Sequence, residues 1–185
     1  MSVAHQATAV AIDGRAVLIE GPPGSGKSSL ALALIDQGAV LIGDDAVLLQ
    51  VVEGRLLASP HPRVAGLIEV RNVGLVTMPV VAAVPVALVL LLDRDAPRYV
   101  EAAELVERGA NRDSFPVPFW GGAGGARFPD TPAPVAWPHP NRSPEGEGFA
   151  KGQVGMRLPM LRLWPDSPAL ALRAQWALRQ YGLAR

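Results

Sequence analysis

Residues 21–28 read Gly21-Pro22-Pro23-Gly24-Ser25-Gly26-Lys27-Ser28 and fit the phosphate-cradling pattern G-x-x-x-x-G-K-S/T. Its glycines let successive backbone N–H groups turn onto phosphate oxygens, which a Cβ atom would obstruct. The Lys27 ammonium can reach the terminal phosphates, and the Ser28 hydroxyl can ligate Mg²⁺. The sequence therefore predicts a nucleotide-binding loop made of Gly21, Pro22, Pro23, Gly24, Ser25, Gly26, Lys27, Ser28 and Ser29.

The composition of the chain and the flanks of the loop support this interpretation. The chain holds two lysines and fifteen arginines, and Lys27 is one of the two lysines. Arginine is the usual cationic residue of this chain, so a lysine at position 27 indicates a role that the broader guanidinium group cannot fill. The apolar run Ala16–Ile19 predicts a buried strand before the loop, and Ser28–Ile35 predicts a helix that ends near Gly38. Strand, glycine loop and helix are the setting that a P-loop requires.

The bulk composition favours a single domain in a reducing compartment. The chain has 185 residues, a formal net charge of zero and no cysteine. It therefore has no disulfide and no cysteine-ligated metal, and it lacks the basic patch of a nucleic-acid binder. The first residues do not combine a basic flank with an apolar core, so we expect no signal peptide and a cytoplasmic protein.

The run Val73–Leu92 carries no charge over twenty residues, which is long enough to span a membrane. Pro79 and Pro85 interrupt the run, and valine is its commonest residue. A parallel strand that is buried on both faces gives the same continuous apolar pattern. We therefore expect two strands here, about Gly74–Met78 and Pro85–Leu92, and no membrane span.

Short apolar runs dominate the first two-thirds of the chain. Asp13-Gly14 and Glu53-Gly54 lie between such runs, and both pairs predict hairpin turns. The pattern is not purely alternating, so we expect an α/β P-loop nucleotide-binding domain with a mixed central sheet. Its other strands are predicted at Thr8–Ile12, Ala16–Glu20, Val40–Ile42, Ala46–Val52 and Arg55–Ala58.

The last third of the chain changes character. Between residues 115 and 148 eight residues are proline and six are glycine, which predicts a loop over about residues 110–152. Ser167-Pro168 then offers an N-cap and a first-turn proline for a C-terminal helix over about residues 168–181. Trp176 lies off the apolar stripe of that helix, and we expect it to make a second buried contact, with a partner surface as the alternative. All of residues 1–185 are expected to form one P-loop kinase domain.

A P-loop enzyme needs a carboxylate at a strand end to organise Mg²⁺, and often a second one that acts on the nucleophile. Two places meet this requirement. Asp44-Asp45 follow the short run Val40–Gly43, and Asp93 ends the apolar run Leu88–Leu92. Paired acids suit a division of work, because one can hold the metal while the other accepts a proton. The residue pattern alone leaves both places open.

The order of four features resembles the C-terminal catalytic domain of the HPr kinase/phosphorylase family. These are His5, the P-loop, Gly43-Asp44-Asp45 and the run Leu67-Ile68-Glu69-Val70-Arg71-Asn72-Val73-Gly74. The resemblance is good over about residues 5–75 and returns faintly at residues 158–163 and the last helix. It looks like the short proteobacterial form, which lacks the family's N-terminal domain.

The resemblance implies a role for each matching residue. Lys27 and Ser28 would serve phosphate and Mg²⁺, and Asp45 would be the base in phosphorylation. Asp44 and Glu69 would serve the metal, and His5 would be a further active-site residue. The implied activity is an ATP-dependent protein serine kinase whose acceptor is a small HPr-like phosphocarrier protein. The family also implies a possible homo-oligomer, and neither a nucleic-acid nor a membrane partner.

The sequence departs from the family pattern at two places. Asn72 replaces the signature glycine, and the family's later active-site arginine has only Arg98 as its nearest candidate. Arg71 could bind phosphate or end the sheet. Kinase activity is therefore better supported than phosphorylase activity, and ATP or pyrophosphate could be the donor. Two alternatives stay open, namely a small-molecule P-loop kinase and a nucleotide-binding regulator without turnover.

Overall fold

The computed structural model describes residues 2–109 and 155–184. These residues form eleven strands and two helices. In chain order they are β1 (Ser2–His5), β2 (Thr8–Ile12), β3 (Arg15–Glu20), α1 (Lys27–Asp36), β4 (Val40–Gly43), β5 (Val47–Val52), β6 (Arg55–Pro60), β7 (Leu67–Val70), β8 (Gly74–Thr77), β9 (Val84–Leu92), β10 (Glu104–Gly109), β11 (Gly155–Leu163) and α2 (Leu170–Tyr181). The predicted loop over about residues 110–152 lies outside the described residues.

The main sheet is mixed, and its strand order is β1-β5-β6-β9-β3-β2-β4, with β11 beside β9 and β10 beside β11. Strands β3 and β11 both run parallel to β9. Strand β2 is antiparallel to both β3 and β4, so β4 runs in the same direction as β3. The carboxyl ends of β3, β4, β9 and β11 therefore meet at one edge, where ligands bind in open α/β sheets. Strands β7 and β8 form a separate two-stranded sheet.

Both predicted hairpins are present, and the chain adopts the left-handed conformation at their turns. Asp13 and Gly14 have φ of 49° and 70°, and Glu53 and Gly54 have φ of 48° and 72°. Positive φ at both central residues matches the right-handed twist of the flanking strands. The other predicted strands are confirmed with ends that differ by at most two residues.

Hydrophobic cores cover both faces of the sheet. One core joins Val17 and Ile19 of β3 to the apolar sides of α1 and α2. The other joins Ala16 and Leu18 of β3 to the curled strands β5 and β6 and to β11. Strand β9 contributes side chains to both cores, which explains why its sequence is continuously apolar. No helix in the described ranges is long and apolar enough to cross a membrane.

Four strands and two details of α2 differ from the prediction. Strands β1, β7, β10 and β11 were not expected. Helix α2 begins at Leu170 with Ala169 as its N-cap, because residues 167–170 form a turn in which Leu170 N–H bonds to Ser167 O. The buried contact expected for Trp176 is wrong, since this residue is 58% exposed and the Arg179 guanidinium lies 5.3 Å from the centre of its ring.

Candidate active site

The glycine loop joins the end of β3 to the start of α1. Gly21 has φ of 147°, and a Cβ atom there would lie 2.8 Å from Ser25 Oγ and 3.0 Å from Leu92 O. Only glycine fits this contact between the loop and β9. Gly26 caps α1 with φ of 92°, and its carbonyl accepts the first helical hydrogen bond from Leu30 at 2.9 Å. The loop therefore has the compact turn that its sequence predicts.

Lys27 folds back across the loop from the first position of α1. Its Nζ donates hydrogen bonds to Gly21 O at 3.1 Å and to Pro22 O at 3.2 Å. The ammonium is thus held above the loop, where it can meet an anion. The Ser25 hydroxyl is buried and has no hydrogen-bond partner in the described part of the chain. An orphaned hydroxyl inside a loop of this kind is compatible with an absent polar ligand.

Asp44 is a buried carboxylate whose described partners are both hydroxyl groups. Only 5% of the surface of this residue is exposed. Thr8 Oγ1 and Ser28 Oγ donate to the same oxygen, Asp44 Oδ1, at 2.7 Å and 3.0 Å. Within residues 2–109 and 155–184 no arginine, lysine or histidine forms an ion pair with this carboxylate.

The donor set around Asp44 fits Mg²⁺. This ion prefers hard oxygen ligands and usually takes one or two carboxylates, with waters and substrate phosphates in its other positions. Asp44 and Ser28 offer such oxygens in contact with each other. In the described residues no group of three or more His, Cys, Asp or Glu side chains could hold a metal, so phosphate oxygens would have to complete the coordination.

Asp45 follows in a strained turn, with φ of 60°. Burial raises the pKa of its carboxyl, and the charges of Asp44 and Glu69 raise it further, whereas Lys27 acts in the opposite direction. The predicted site residues Lys27, Asp44 and Glu69 therefore all lie within electrostatic reach of Asp45, although 42 positions separate Lys27 from Glu69 in the sequence. A carboxylate with a raised pKa is suited to accept a proton.

The β7–β8 hairpin carries the signature run beside the loop. Glu69 is an exposed residue of β7, and Arg71 and Asn72 lie in the turn. Asn72 adopts φ of 62°, a conformation that asparagine tolerates better than most residues. The replacement of glycine is therefore accommodated at this turn. A Cβ atom at Gly24 would lie 3.7 Å from an Arg71 guanidinium nitrogen, so Arg71 lies at the tip of the P-loop and its proposed phosphate contact stays a prediction.

The structure brings Arg108, not Arg98, next to the P-loop strand. Arg98 is exposed and has no hydrogen bond or ion pair with the described residues. Arg108 of β10 forms a bidentate pair with Glu20, the last residue of β3, with Nε 2.8 Å from Oε1 and Nη2 in contact with Oε2. His5 Nε2 lies 2.8 Å from the same Oε1. Sequence reasoning missed both Glu20 and Arg108.

The pKa of Glu20 is lowered to about 2. Burial of the carboxyl acts in the opposite direction, but the hydrogen bonds from Arg108 and His5, with their charges, outweigh it. The sequence signal for this cluster was Glu20 itself, a charged residue at the end of the buried strand β3. Its partner Arg108 is 88 positions away, and no local pattern could have identified it.

Asp93 also lies at the carboxyl edge of the sheet, directly after β9. Its Oδ1 accepts a hydrogen bond from Asp95 N at 2.9 Å, and its Oδ2 lies 3.6 Å from Arg162 Nη1. The carboxylate thus closes its own turn and faces β11. Asp44, by contrast, contacts the P-loop serine directly.

This strand–loop–helix arrangement defines a P-loop-type α/β domain. Residues 1–82 match the family model of the HPr Serine kinase C-terminal domain, and the predicted resemblance to this family is confirmed over those residues. The chain is 41% identical over 70 residues to the HPr kinase/phosphorylase of Clostridium tetani and 41% identical over 64 residues to that of Mycoplasma mycoides. The matches cover 38% and 35% of this chain but only 23% and 20% of those relatives. The chain thus spans less than a quarter of the length of the curated relatives it matches.

A solved structure supports the fold over nearly the whole chain. The Hpr(Ser) kinase/phosphatase from Coxiella burnetii superimposes with a TM-score of 0.60 and 21% sequence identity. The superposition covers 96% of this chain and 94% of that protein's chain. The mixed α/β, P-loop-type fold is therefore the one predicted.

Proposed function

We propose that this protein is an ATP-dependent protein serine kinase of the HPr kinase/phosphorylase type. The observation that carries the proposal is the contact between Ser28 of the P-loop and the buried Asp44 carboxylate, next to Lys27 and to Asp45 with its raised pKa. The names of the relatives suggest the acceptor, a small HPr-like phosphocarrier protein.

ATP is proposed to place its phosphates on residues 21–29. The Lys27 ammonium would leave the carbonyls of Gly21 and Pro22 and turn to the phosphate oxygens, which are stronger acceptors because they are charged. Mg²⁺ would be held by Ser28 and Asp44, with Glu69 assisting, and would neutralise charge on the phosphates. Arg71 at the tip of the loop is a second candidate cation for the same phosphates.

Asp45 is proposed as the base. It would accept the proton of a serine hydroxyl while the serine oxygen bonds to the γ-phosphorus and the bond from phosphorus to the ADP oxygen breaks. The raised pKa of Asp45 favours this acceptance near neutral pH. Most of the acceleration would come from positioning and charge stabilisation, because phosphoryl transfer leaves little covalent work to the protein. His5 would act as a further residue of the site.

Two observations favour turnover over a regulator that only binds nucleotide. Asn72 adopts the left-handed conformation that the signature glycine would supply, and Arg108 provides a partly buried arginine beside the P-loop strand. These were the two departures that favoured an inactive protein. Phosphorylase activity and a homo-oligomer remain proposals that rest on the family resemblance, and a cytoplasmic location remains one that rests on the composition of the chain.

The test is transfer of labelled phosphate from ATP to a protein serine. The full chain is incubated with γ-labelled ATP, Mg²⁺ and purified HPr-type proteins of the same organism, and the labelled residue is mapped. We expect one labelled serine, and no label on the acceptor with Asp45→Asn. Label on metabolites without any protein acceptor would instead support the small-molecule kinase. ATP binding with no transfer to either acceptor would support the regulator.

A further inference from the structure

Glu20 occupies an unusual place for an acid, because it directly precedes the first glycine of the P-loop. Side chains alternate along β3, so Glu20 lies on the same face as Ala16 and Leu18, away from α1. On that face it meets His5 from β1 and Arg108 from β10. Three strands that are distant in sequence thus join at the start of the phosphate loop.

The cluster is partly buried, and each of the three guanidinium nitrogens of Arg108 donates a hydrogen bond. The side chains of His5, Glu20 and Arg108 are 21%, 13% and 23% exposed. Arg108 uses Nε and Nη2 for the two carboxylate oxygens, and Nη1 for Glu107 O at 3.0 Å. Planar, bidentate pairing of this kind fixes direction as well as distance. Glu20 therefore determines where both neighbouring groups lie.

A brace between strands would not need these charges. An apolar cluster of similar volume often holds a fold equally well, because burying an ion pair has a large desolvation penalty. An acid next to a phosphate site also repels the phosphates unless cations offset it. The presence of Glu20 at this place, paired with His5 and Arg108, indicates that the orientation of these two side chains matters for the function of the site.

We propose that Glu20 is a positioning residue for phosphoryl transfer, and that it acts through His5 with Arg108 as its support. This proposal rests on the proposed kinase function. The bond between Glu20 and Nε2 sets the ring plane of His5 and leaves Nδ1, on the opposite side of the ring, for other contacts. His5 is paired with Val47 in the β1–β5 ladder, two positions after Asp45, so the oriented histidine lies at the same end of the sheet as the candidate base. A carboxylate behind a histidine holds the ring and stabilises its charged form in other active sites.

The experiment combines a double-mutant cycle with a spectroscopic readout of His5. We compare the wild-type chain with Glu20→Gln, Glu20→Asp, His5→Gln and the double variant Glu20→Gln/His5→Gln. Glu107→Gln is the matched control. Glu107 is next to Arg108 in β10, and it forms an exposed ion pair with Arg157 of the neighbouring strand β11. Steady-state transfer from ATP to the HPr-type acceptor is measured, with circular dichroism to establish the folded fraction.

We expect Glu20→Gln and Glu20→Asp each to lower kcat by about 10- to 100-fold, with the KM for ATP changed by less than about twofold. Adding Glu20→Gln to His5→Gln should cost no further activity, because both changes act through one group. The chain has three histidines, so the ring nitrogen signals of His5 can be assigned by NMR with the His5→Gln variant. Those signals should shift in both Glu20 variants and stay unchanged in Glu107→Gln.

Several results would overturn the proposal. They are a kcat within about twofold of wild type in folded Glu20→Gln, additive losses in the cycle, or His5 signals that do not respond to Glu20. If Glu20→Gln does not fold, the cycle is run with Glu20→Asp, which keeps the charge and removes one methylene. A wild-type chain that transfers no phosphate would refute the kinase function, and an unresponsive His5 ring would separately refute the positioning role.

Discussion

The ionised Glu20 carboxylate should make the free energy of unfolding of this protein fall in acid, and the substitution Glu20→Gln should remove that part of the pH dependence. The pKa of Glu20 is about 2 in the folded chain, against an ordinary value of 4.5. A lowered folded pKa means that the ionised carboxylate contributes stability above the unfolded pKa, and that this contribution is lost as the pH falls through the folded pKa. The two values together correspond to about 3 kcal/mol at neutral pH.

The free energy of unfolding is to be measured by urea denaturation of the wild-type chain and of Glu20→Gln between pH 7 and pH 3. The difference between the two proteins at pH 7 also contains changes in packing, so only its change with pH is diagnostic. Linkage predicts that about 2 kcal/mol of the wild-type advantage is lost by pH 3. Most of the loss should fall below about pH 4.5.

Glu107→Gln provides the control for this measurement. Glu107 pairs with Arg157 at 3.3 Å, but the two side chains are 45% and 73% exposed, and exposed pairs contribute about 0–1 kcal/mol. Its stability difference from wild type should therefore change little with pH. A difference for Glu20→Gln that stays constant from pH 7 to pH 3 would refute the electrostatic account of the cluster.

Three further predictions concern the candidate site. Lys27→Arg should weaken ATP binding in calorimetry about as much as Lys27→Ala, because the planar guanidinium does not replace a point charge in the loop; normal binding would mean that the loop is not a phosphate site. Asp45→Asn should keep ATP and Mg²⁺ binding while transfer falls by about 10²- to 10⁴-fold, and the same phenotype from Asp93→Asn alone would show that the wrong carboxylate was chosen. The free energy of unfolding of Asn72→Gly should lie within about 1 kcal/mol of the wild-type value, whereas that of Asn72→Val should be about 1–3 kcal/mol lower, because a β-branched residue is strained at this φ. Equal melting temperatures of the two variants would contradict the conformational argument.

Local patterns carried most of the fold. The turn residues Asp13-Gly14 and Glu53-Gly54 specified two hairpins because few residues accept positive φ at adjacent positions. The P-loop motif specified the strand, the turn and the helix around it. The uncharged run ending at Leu92 was correctly assigned to strands because prolines and valines disfavour a helix. Each of these signals is contained in a few consecutive residues.

The remaining features depend on contacts between distant segments. Strand β10 has an ordinary polar sequence and is defined by its pairing with β11, which lies on the other side of about 45 residues of chain. The Glu20–Arg108 pair follows from that pairing. Arg98 was selected only because it was the nearest arginine in a suitable part of the sequence, and sequence distance contains no information on which strand curls back to the P-loop.

Two acids at the same edge of the sheet, the partly buried Glu20 and the buried Asp44, differ in their partners. Glu20 is contacted by a guanidinium and an imidazole, so its charge is already balanced and it has little to offer a metal. Asp44 receives hydroxyl hydrogen bonds from Thr8 and Ser28, and it forms no ion pair with another side chain in the described ranges. A buried carboxylate without a cation is expensive unless a ligand supplies one. This contrast supports the two proposals made above, in which Asp44 meets the phosphate-bound cation and Glu20 holds His5 and Arg108 in place.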